Sequence, residues 1–165
     1  MRKTKAKELT LENFSKYGTF ARMKEPDGVS VGPKIHEFFC DRLVHGYASP
    51  SPVGLSISHV KKRKVLVDTT EIHSMCGEVM LPLDGDIYIH VGQVSDPDEP
   101  LYEKFEIFRV PEGYGVCLKP GVWHFAAFPC DKEFVSILVA LPERTYVNDC
   151  IVKKIPEESQ IGLEE

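Results

Sequence analysis

From Gly54 to about residue 155 the chain is broken into short runs rich in β-branched and aromatic residues, each bounded by a turn. This succession constrains the fold more than any other feature, because it favours an all-β sandwich or barrel over parallel strands alternating with helices. The predicted strands cover 55–60, 64–73, 78–81, 86–92, 105–110, 115–118, 124–128, 133–141 and 150–155. That count suits a jelly-roll barrel. The run at 133–141, with Phe134, Val135, Ile137, Leu138 and Val139, is predicted to be the most buried strand.

Ahead of the barrel, Thr10 is a candidate N-cap for a short helix over 11–17 that Gly18 ends, with Leu11, Phe14 and Tyr17 docking on the body. Residues 25–33 read as a Gly- and Pro-rich loop. The stretch 34–47 fits neither the helical nor the strand period, and residues 48–53 are a break. His36 and His45 fall in the ambiguous stretch and read as surface or hydrogen-bonded histidines. A chain of 165 residues fits one domain. Residues 1–53 are then a helix-and-loop region, 54–155 the barrel and 156–165 an acidic mobile tail.

With 42% hydrophobic and 27% charged residues, the composition argues against wholesale disorder. A net charge of −5 argues against general affinity for nucleic acid or an anionic membrane. The one basic cluster, Lys61-Lys62-Arg63-Lys64, has no interleaved aromatic residues and reads as a solvated hairpin tip. The five cysteines, Cys40, Cys76, Cys117, Cys130 and Cys150, form no CxxC pair and read as free thiols of a reducing compartment. Neither a signal peptide nor a membrane span is recognisable, so a cytoplasmic location is expected.

The stretch 70–85, reading TEIHSMCGEVMLPLDG, carries the clearest chemistry. A strand through residue 73 places Glu71 and His73 on one face, and a turn over 74–77 returns Glu78 toward them. Imidazole with carboxylates suits a borderline divalent ion such as Mn, Fe, Ni or Zn, and an open position on that ion polarises an oxygen-bearing substrate. The same residues also fit exposed hairpin positions.

Two further strands hold ionisable candidates. Over 86–91, Ile87, Ile89 and Val91 share one face, Tyr88 and His90 the other. Tyr88 and His90 point into the barrel if the apolar face packs on a covering layer. His90 is exposed if that face lines the barrel instead. Over 105–110 apolar residues lie on both faces, so the strand is covered on both sides. Arg109 within it either meets an acidic or anionic partner or snorkels to water. A Pro-Gly turn at 120–121 presents His124 at the start of a strand, and Trp123 beside it is placed to wall an apolar pocket. His124 supplies a fourth ligand to Glu71, His73 and Glu78.

These residues resemble the two cupin motifs. Glu71-Ile72-His73, four residues, Glu78, six more and Gly85 follow the first, with Glu71 in place of its leading His; Gly121 and His124 follow the core of the second. The strings FSKYG at 14–18, EIH at 71–73, LPLDG at 81–85, GVWH at 121–124 and NDC at 148–150 further resemble the ureidoglycolate lyase family, formerly called ureidoglycolate hydrolases. That family commonly has Gln where this chain has Glu78, and often a second His where it has Phe125. It also tends to carry an Asp-Arg pair where this chain reads Leu141-Pro142-Glu143-Arg144.

The resemblance implies a cupin-type barrel, a homodimer, and release of urea and glyoxylate from ureidoglycolate in the allantoin branch of purine breakdown. It also implies a divalent metal on Glu71, His73, Glu78 and His124, chelated by the substrate's hydroxyl and carboxylate. Tyr88, His90, Lys119 and a metal-bound water are the candidates for proton transfer, and Arg109, Trp123 and Arg144 for substrate binding, with Lys119 a further anchor for the carboxylate. A carboxylate at position 78 holds a hard or borderline cation more strongly than an amide does. Two other readings stand beside the lyase: a non-catalytic cupin binding a small metabolite, and a different metal-dependent cupin enzyme such as an isomerase or oxygenase.

Overall fold

The structure, a computed structural model, describes residues 1–33, 35–44, 46 and 50–164. His45, the ends of the ambiguous stretch at 34 and 47, and residues 48–49 of the break lie outside the described residues. Strands β1 (Arg2–Thr4) and β2 (Lys7–Glu8) precede helix α1 (Leu11–Phe14), and β3 (Gly18–Arg22) follows it. Next come β4 (Val53–Lys61), β5 (Leu66–Val67), β6 (Thr69–Ile72), β7 (Glu78–Pro82) and β8 (Ile87–Val91). Then follow β9 (Glu106–Val110), β10 (Tyr114–Leu118), β11 (Phe128–Pro129) and β12 (Phe134–Pro142). Helix α2 (Thr145–Asn148), β13 (Ile151–Lys154) and β14 (Ile161–Leu163) complete the order.

Two sheets face each other in a jelly-roll barrel. One has the order β3-β10-β7-β12-β4, the other β11-β8-β9-β2. Antiparallel bridges Gly92–Trp123 and Glu71–His124 extend the second sheet through residues 123–124 to β6, which pairs with β13. Met80, Val116, Leu118, Val135 and Ile137 of the first sheet meet Ile87, Ile89, Val91, Phe108 and Val110 of the second in one core. A second cluster, with Val67, Ile72, Phe105, Ile107, Trp123, Phe128 and Ile161, packs on the opposite face of the second sheet. Apolar residues on both faces of β9 thus have cover on both sides, as their pattern predicts.

This layering decides the orientation of β8. Its apolar face fills the barrel, so Tyr88 and His90 point outward. His90 is nevertheless only 1% exposed, because the second cluster covers it. Burial on the outer side was not foreseen: strand alternation says which residues share a face, but not whether the polar face is covered.

The helix is shorter than predicted. Thr10 caps it in a reciprocal box with Asn13, but it ends after one turn and Gly18 opens β3 instead of terminating the helix. A Cβ on Gly18 would lie 2.0 Å from the Cys117 carbonyl oxygen, so the close pairing of β3 with β10 requires glycine here. Phe14 and Tyr17 are fully buried, whereas Leu11 is exposed.

Three further expectations are corrected. The predicted strand over 64–73 is split into β5 and β6, which join different sheets, and β4 pairs with β12, so the basic cluster is not the tip of a hairpin. The run at 133–141 is buried on one face only: Val135 and Ile137 enter the core while Phe134 is largely exposed. The acidic tail is anchored, with β14 lying between β1 and β5 and Ile161 fully buried. All five cysteines are free thiols. No helix among the described residues is long and apolar enough to cross a membrane.

Candidate metal centre

The alternation of β6 sends Thr70 and Ile72 outward and Glu71, with His73 just beyond the strand, toward the barrel interior. Residues 74–77 then reverse the chain into β7, whose first residue is Glu78. Asp149 fixes this reversal. Its Oδ1 accepts from the Ser74 amide at 2.8 Å and the Ser74 hydroxyl at 2.7 Å, and its Oδ2 accepts from the Met75 amide at 2.8 Å. Burial works to raise the Asp149 pKa, but these hydrogen bonds outweigh it and hold the carboxyl below its usual range. His124 comes from 53 residues further along than Glu71, and reciprocal main-chain hydrogen bonds of 2.6 and 3.0 Å fasten it directly to that residue.

Glu71, His73, Glu78 and His124 offer ligand atoms that all lie within 4.8 Å of one another. Glu78 Oε2 stands 3.0 Å from His124 Nε2 and 3.3 Å from His73 Nε2. The other nitrogen of each ring is taken by a main-chain carbonyl: His73 Nδ1 donates to Asp149 O at 2.6 Å, and His124 Nδ1 to Val122 O at 2.8 Å. A carbonyl can only accept, so both rings carry their Nδ1 proton and aim Nε2 at the cluster. This is the outer-shell arrangement that metal-ligating histidines use. Two carboxylates with two neutral imidazoles also match the charge of a divalent ion, and the mixed donor set suits a borderline one. The residues therefore fit a metal.

The electrostatics agree. Burial pushes the Glu78 pKa up, but His124 and then His73 outweigh it and hold the carboxyl at about 2. Burial pushes His124 down, and Glu78 and Glu71 overcome it, so its pKa is raised. Protons and a metal ion thus compete for the same Nε2 positions. Beside them the Cys150 thiol donates to Glu71 Oε2 at 3.5 Å; burial and the Glu71 charge push its pKa up to about 12, leaving it a protonated neighbour.

A cavity of about 140 Å³ adjoins the cluster, lined by Glu71 and Glu78, by Ser58, Met80, Ile137 and Val139, and by residues 125–127, whose exposed Ala126 marks its rim. A larger hollow of about 440 Å³ on the outer side of β10 includes none of the four ligand residues.

The structure brings together the four predicted ligands and none of the other predicted site residues. Tyr88 is half-buried on the outer face, where burial and then Cys130 raise its pKa. His90 Nε2 donates to Thr70 Oγ1 at 3.1 Å, and Thr70 donates to the His124 carbonyl at 3.2 Å, so His90 stands behind the cluster. Burial, then His124 and Arg63, lower its pKa to about 3, keeping it neutral. Lys119 Nζ donates to Ser15 O at 2.7 Å at the surface. Arg109 meets the acidic partners its sequence context called for, Asp86 at 2.5 Å and Glu8 at 3.6 Å, on the outer side. Trp123 points away from His124, as neighbours on a strand must; it sits in the second cluster with its indole N–H on Ser95 Oγ at 3.0 Å and does not wall the cavity. Arg144 is exposed, with a left-handed φ of 63° just before α2. Asp149 and Ser58 were missed. Asp149 lies in the NDC string, but its contacts are to main-chain atoms distant in sequence, which no local pattern displays.

A model of the family described as ureidoglycolate lyase matches residues 1–162. No curated protein matches. Among solved structures, a dTDP sugar isomerase from Desulfovibrio desulfuricans is 9% identical with a TM-score of 0.51, covering 86% of this chain and 85% of its own. The likeness is one of fold. The sugar 3,4-ketoisomerase QdtA from Thermoanaerobacterium thermosaccharolyticum is 18% identical with a TM-score of 0.45, covering 81% of this chain and 85% of its own. The oxalate decarboxylase of Bacillus subtilis, a protein with Mn(II) centres, is 13% identical with a TM-score of 0.45 over 66% of this chain. This chain spans only 27% of that protein's length.

Proposed function

The chain belongs to the ureidoglycolate lyase family, within the cupin superfamily and an enzyme family, and from there we propose that it is a metal-assisted lyase releasing urea and glyoxylate from ureidoglycolate. The observation that carries this reading is the convergence of Glu71, His73, Glu78 and His124 beside a small cavity that the two carboxylates line. A divalent ion held there supplies Lewis acidity that lowers the pKa of a hydroxyl reaching it. Mn, Fe, Ni and Zn are the candidates.

The reaction moves one proton. The hydroxyl on the central carbon loses its proton as the carbonyl of glyoxylate forms, the electrons of the carbon–nitrogen bond pass to nitrogen, and that nitrogen takes a proton to leave as urea. Glu78, with its pKa held at about 2 after His124 and His73 overcome its burial, is a weak base and serves as a ligand. Glu71 lines the cavity and is half-buried, so in this reading it carries the proton from oxygen to nitrogen. That work passes to it from Tyr88, His90 and Lys119, whose places outside the cavity do not support such a role. Ser58 offers a hydroxyl to the urea end, and Met80, Ile137 and Val139 keep the reacting carbon in apolar surroundings. The wider reading, a homodimer working in purine breakdown, rests on the family resemblance, and its cytoplasmic location on the unclustered cysteines of the sequence.

The test is direct. The protein is purified without added metal, its bound metal is measured, and urea and glyoxylate are assayed before and after chelation and reconstitution. Release that disappears with chelation and returns with the metal is expected. A fully loaded protein that releases neither product overturns the proposal.

A further inference from the structure

The basic cluster at 61–64 is exposed, but Arg63 within it reaches across to the main chain at the rim of the cavity. Its Nη1 donates to Ala127 O at 2.9 Å and its Nη2 to Ala126 O at 3.0 Å. Its guanidinium lies 4.0 Å from the centre of the Phe128 ring, and Nη1 also reaches Lys61 O at 3.4 Å. Residues 125–127 form the cavity rim between the bridge at His124 and strand β11, outside any strand ladder. Ala127 belongs to the barrel core and Phe128 to the outer cluster, so the chain crosses from one layer to the other here. A crossing segment has carbonyls that no neighbouring strand takes; Ala126 is exposed, but Ala127 is buried, and leaving its carbonyl without a donor is costly. Arg63 takes two successive carbonyls with one rigid fork and stacks on the ring that follows, which a lysine cannot do.

We propose that Arg63 is a positioning residue that fixes the rim at residues 125–127 and thereby limits the cavity to small α-hydroxy acids. This deepens the lyase reading, since it takes the cavity beside Glu71 and Glu78 as the substrate site. The rim side chains are small at Ala126 and Ala127, so the main chain that Arg63 holds also sets where the bulky Phe125 ring stands at the cavity. A rim free to move outward admits larger groups on the hydroxy acid.

The experiment uses the whole chain as wild type, Arg63→Lys and Arg63→Gln, loaded with Mn(II), and measures binding of glycolate and mandelate by calorimetry. Amide hydrogen exchange across residues 125–128 is followed in the metal-free proteins. In wild type glycolate is expected to bind at least ~10-fold more tightly than mandelate, within the range one pocket contact can discriminate. Both variants are expected to lose most of that ratio, with faster exchange at 125–128 and unchanged exchange in β7 and β12. An unchanged ratio in both variants overturns the inference, as does global unfolding of Arg63→Lys, which would make the residue merely structural. Failure of all three proteins to cleave ureidoglycolate overturns the assigned reaction and leaves the ratio to decide this inference. Absence of hydroxy-acid binding by loaded wild type overturns both.

Discussion

The main-chain carbonyl of Asp149 accepts the Nδ1 proton of His73 at 2.6 Å, while the carboxylate of the same residue holds the turn that follows His73. One residue of the C-terminal segment therefore sets both the tautomer of a ligand and the course of the chain that brings Glu78 beside it. Asp149→Ala keeps the carbonyl but frees the turn. It is expected to weaken metal binding ~10–100-fold, the usual cost of an outer-shell change. Calorimetric titration with Mn(II) and Zn(II) checks this, and unchanged affinity would show that the turn holds itself.

Glu78→Gln removes the charge that stands 3.0 Å from His124 Nε2. Metal affinity is expected to fall further than the ~10–100-fold of an outer-shell change. In the metal-free protein the His124 pKa is expected to drop, because the largest influence opposing burial is lost and only Glu71 and the Val122 carbonyl still raise it. An NMR pH titration of the histidine ring protons reads the second effect independently of the first.

His90 is held neutral, its pKa lowered to about 3 by burial, His124 and Arg63. Its unfolded value is about 6.5, so the unfolded chain binds the extra proton between those limits. The contribution of neutral His90 to stability is therefore complete above about pH 6.5 and is lost as pH falls toward 3, at up to about 1.4 kcal/mol per pH unit. His90→Phe keeps the ring against Phe105 and is expected to flatten the stability curve of the metal-free protein over that window. Urea denaturation from pH 4 to 8 measures the difference; parallel curves for the two proteins would remove His90 as its source.

Ile161 is fully buried in the second cluster even though it lies in the acidic tail. Ile161→Ala is expected to destabilise the protein by about 3 kcal/mol through lost burial and the cavity left behind. Chemical denaturation reads this directly. A change below about 0.5 kcal/mol, typical of exposed sites, would return the tail to the mobile state its composition suggests.

The sequence reading reached the barrel and the ligand set for one reason. Both depend on local regularity: strand alternation places Glu71 with His73, and the Pro-Gly turn fixes where His124 begins its bridge. What it missed depends on contacts between distant segments. Whether His90 is exposed or covered is decided by Phe105 and Trp123 arriving on the outer face, and the polar face of β8 gives no hint of them. Trp123 and His124 were joined in expectation because they are neighbours, yet a strand sends neighbours to opposite faces. Arg63 does belong to an exposed charge run, but its hold on the carbonyls of Ala126 and Ala127 was not legible, because those are main-chain atoms that every residue has. Arg109 was legible as needing an acid, but nothing nearby in sequence pointed to Asp86 and Glu8.

Strand β14 lies between β1 and β5, with Ile161 opposite both Arg2 and Val67. Residues 2–4 leave the ribosome before residues 161–163, the partner strand they pair with. The small sheet that β14 centres on therefore cannot close until synthesis has passed residue 163, and its pairing has the long sequence separation that slows folding. During translation β1 has no partner to hold it, so the nascent protein carries an unpaired strand throughout the time in which the rest of the barrel is made.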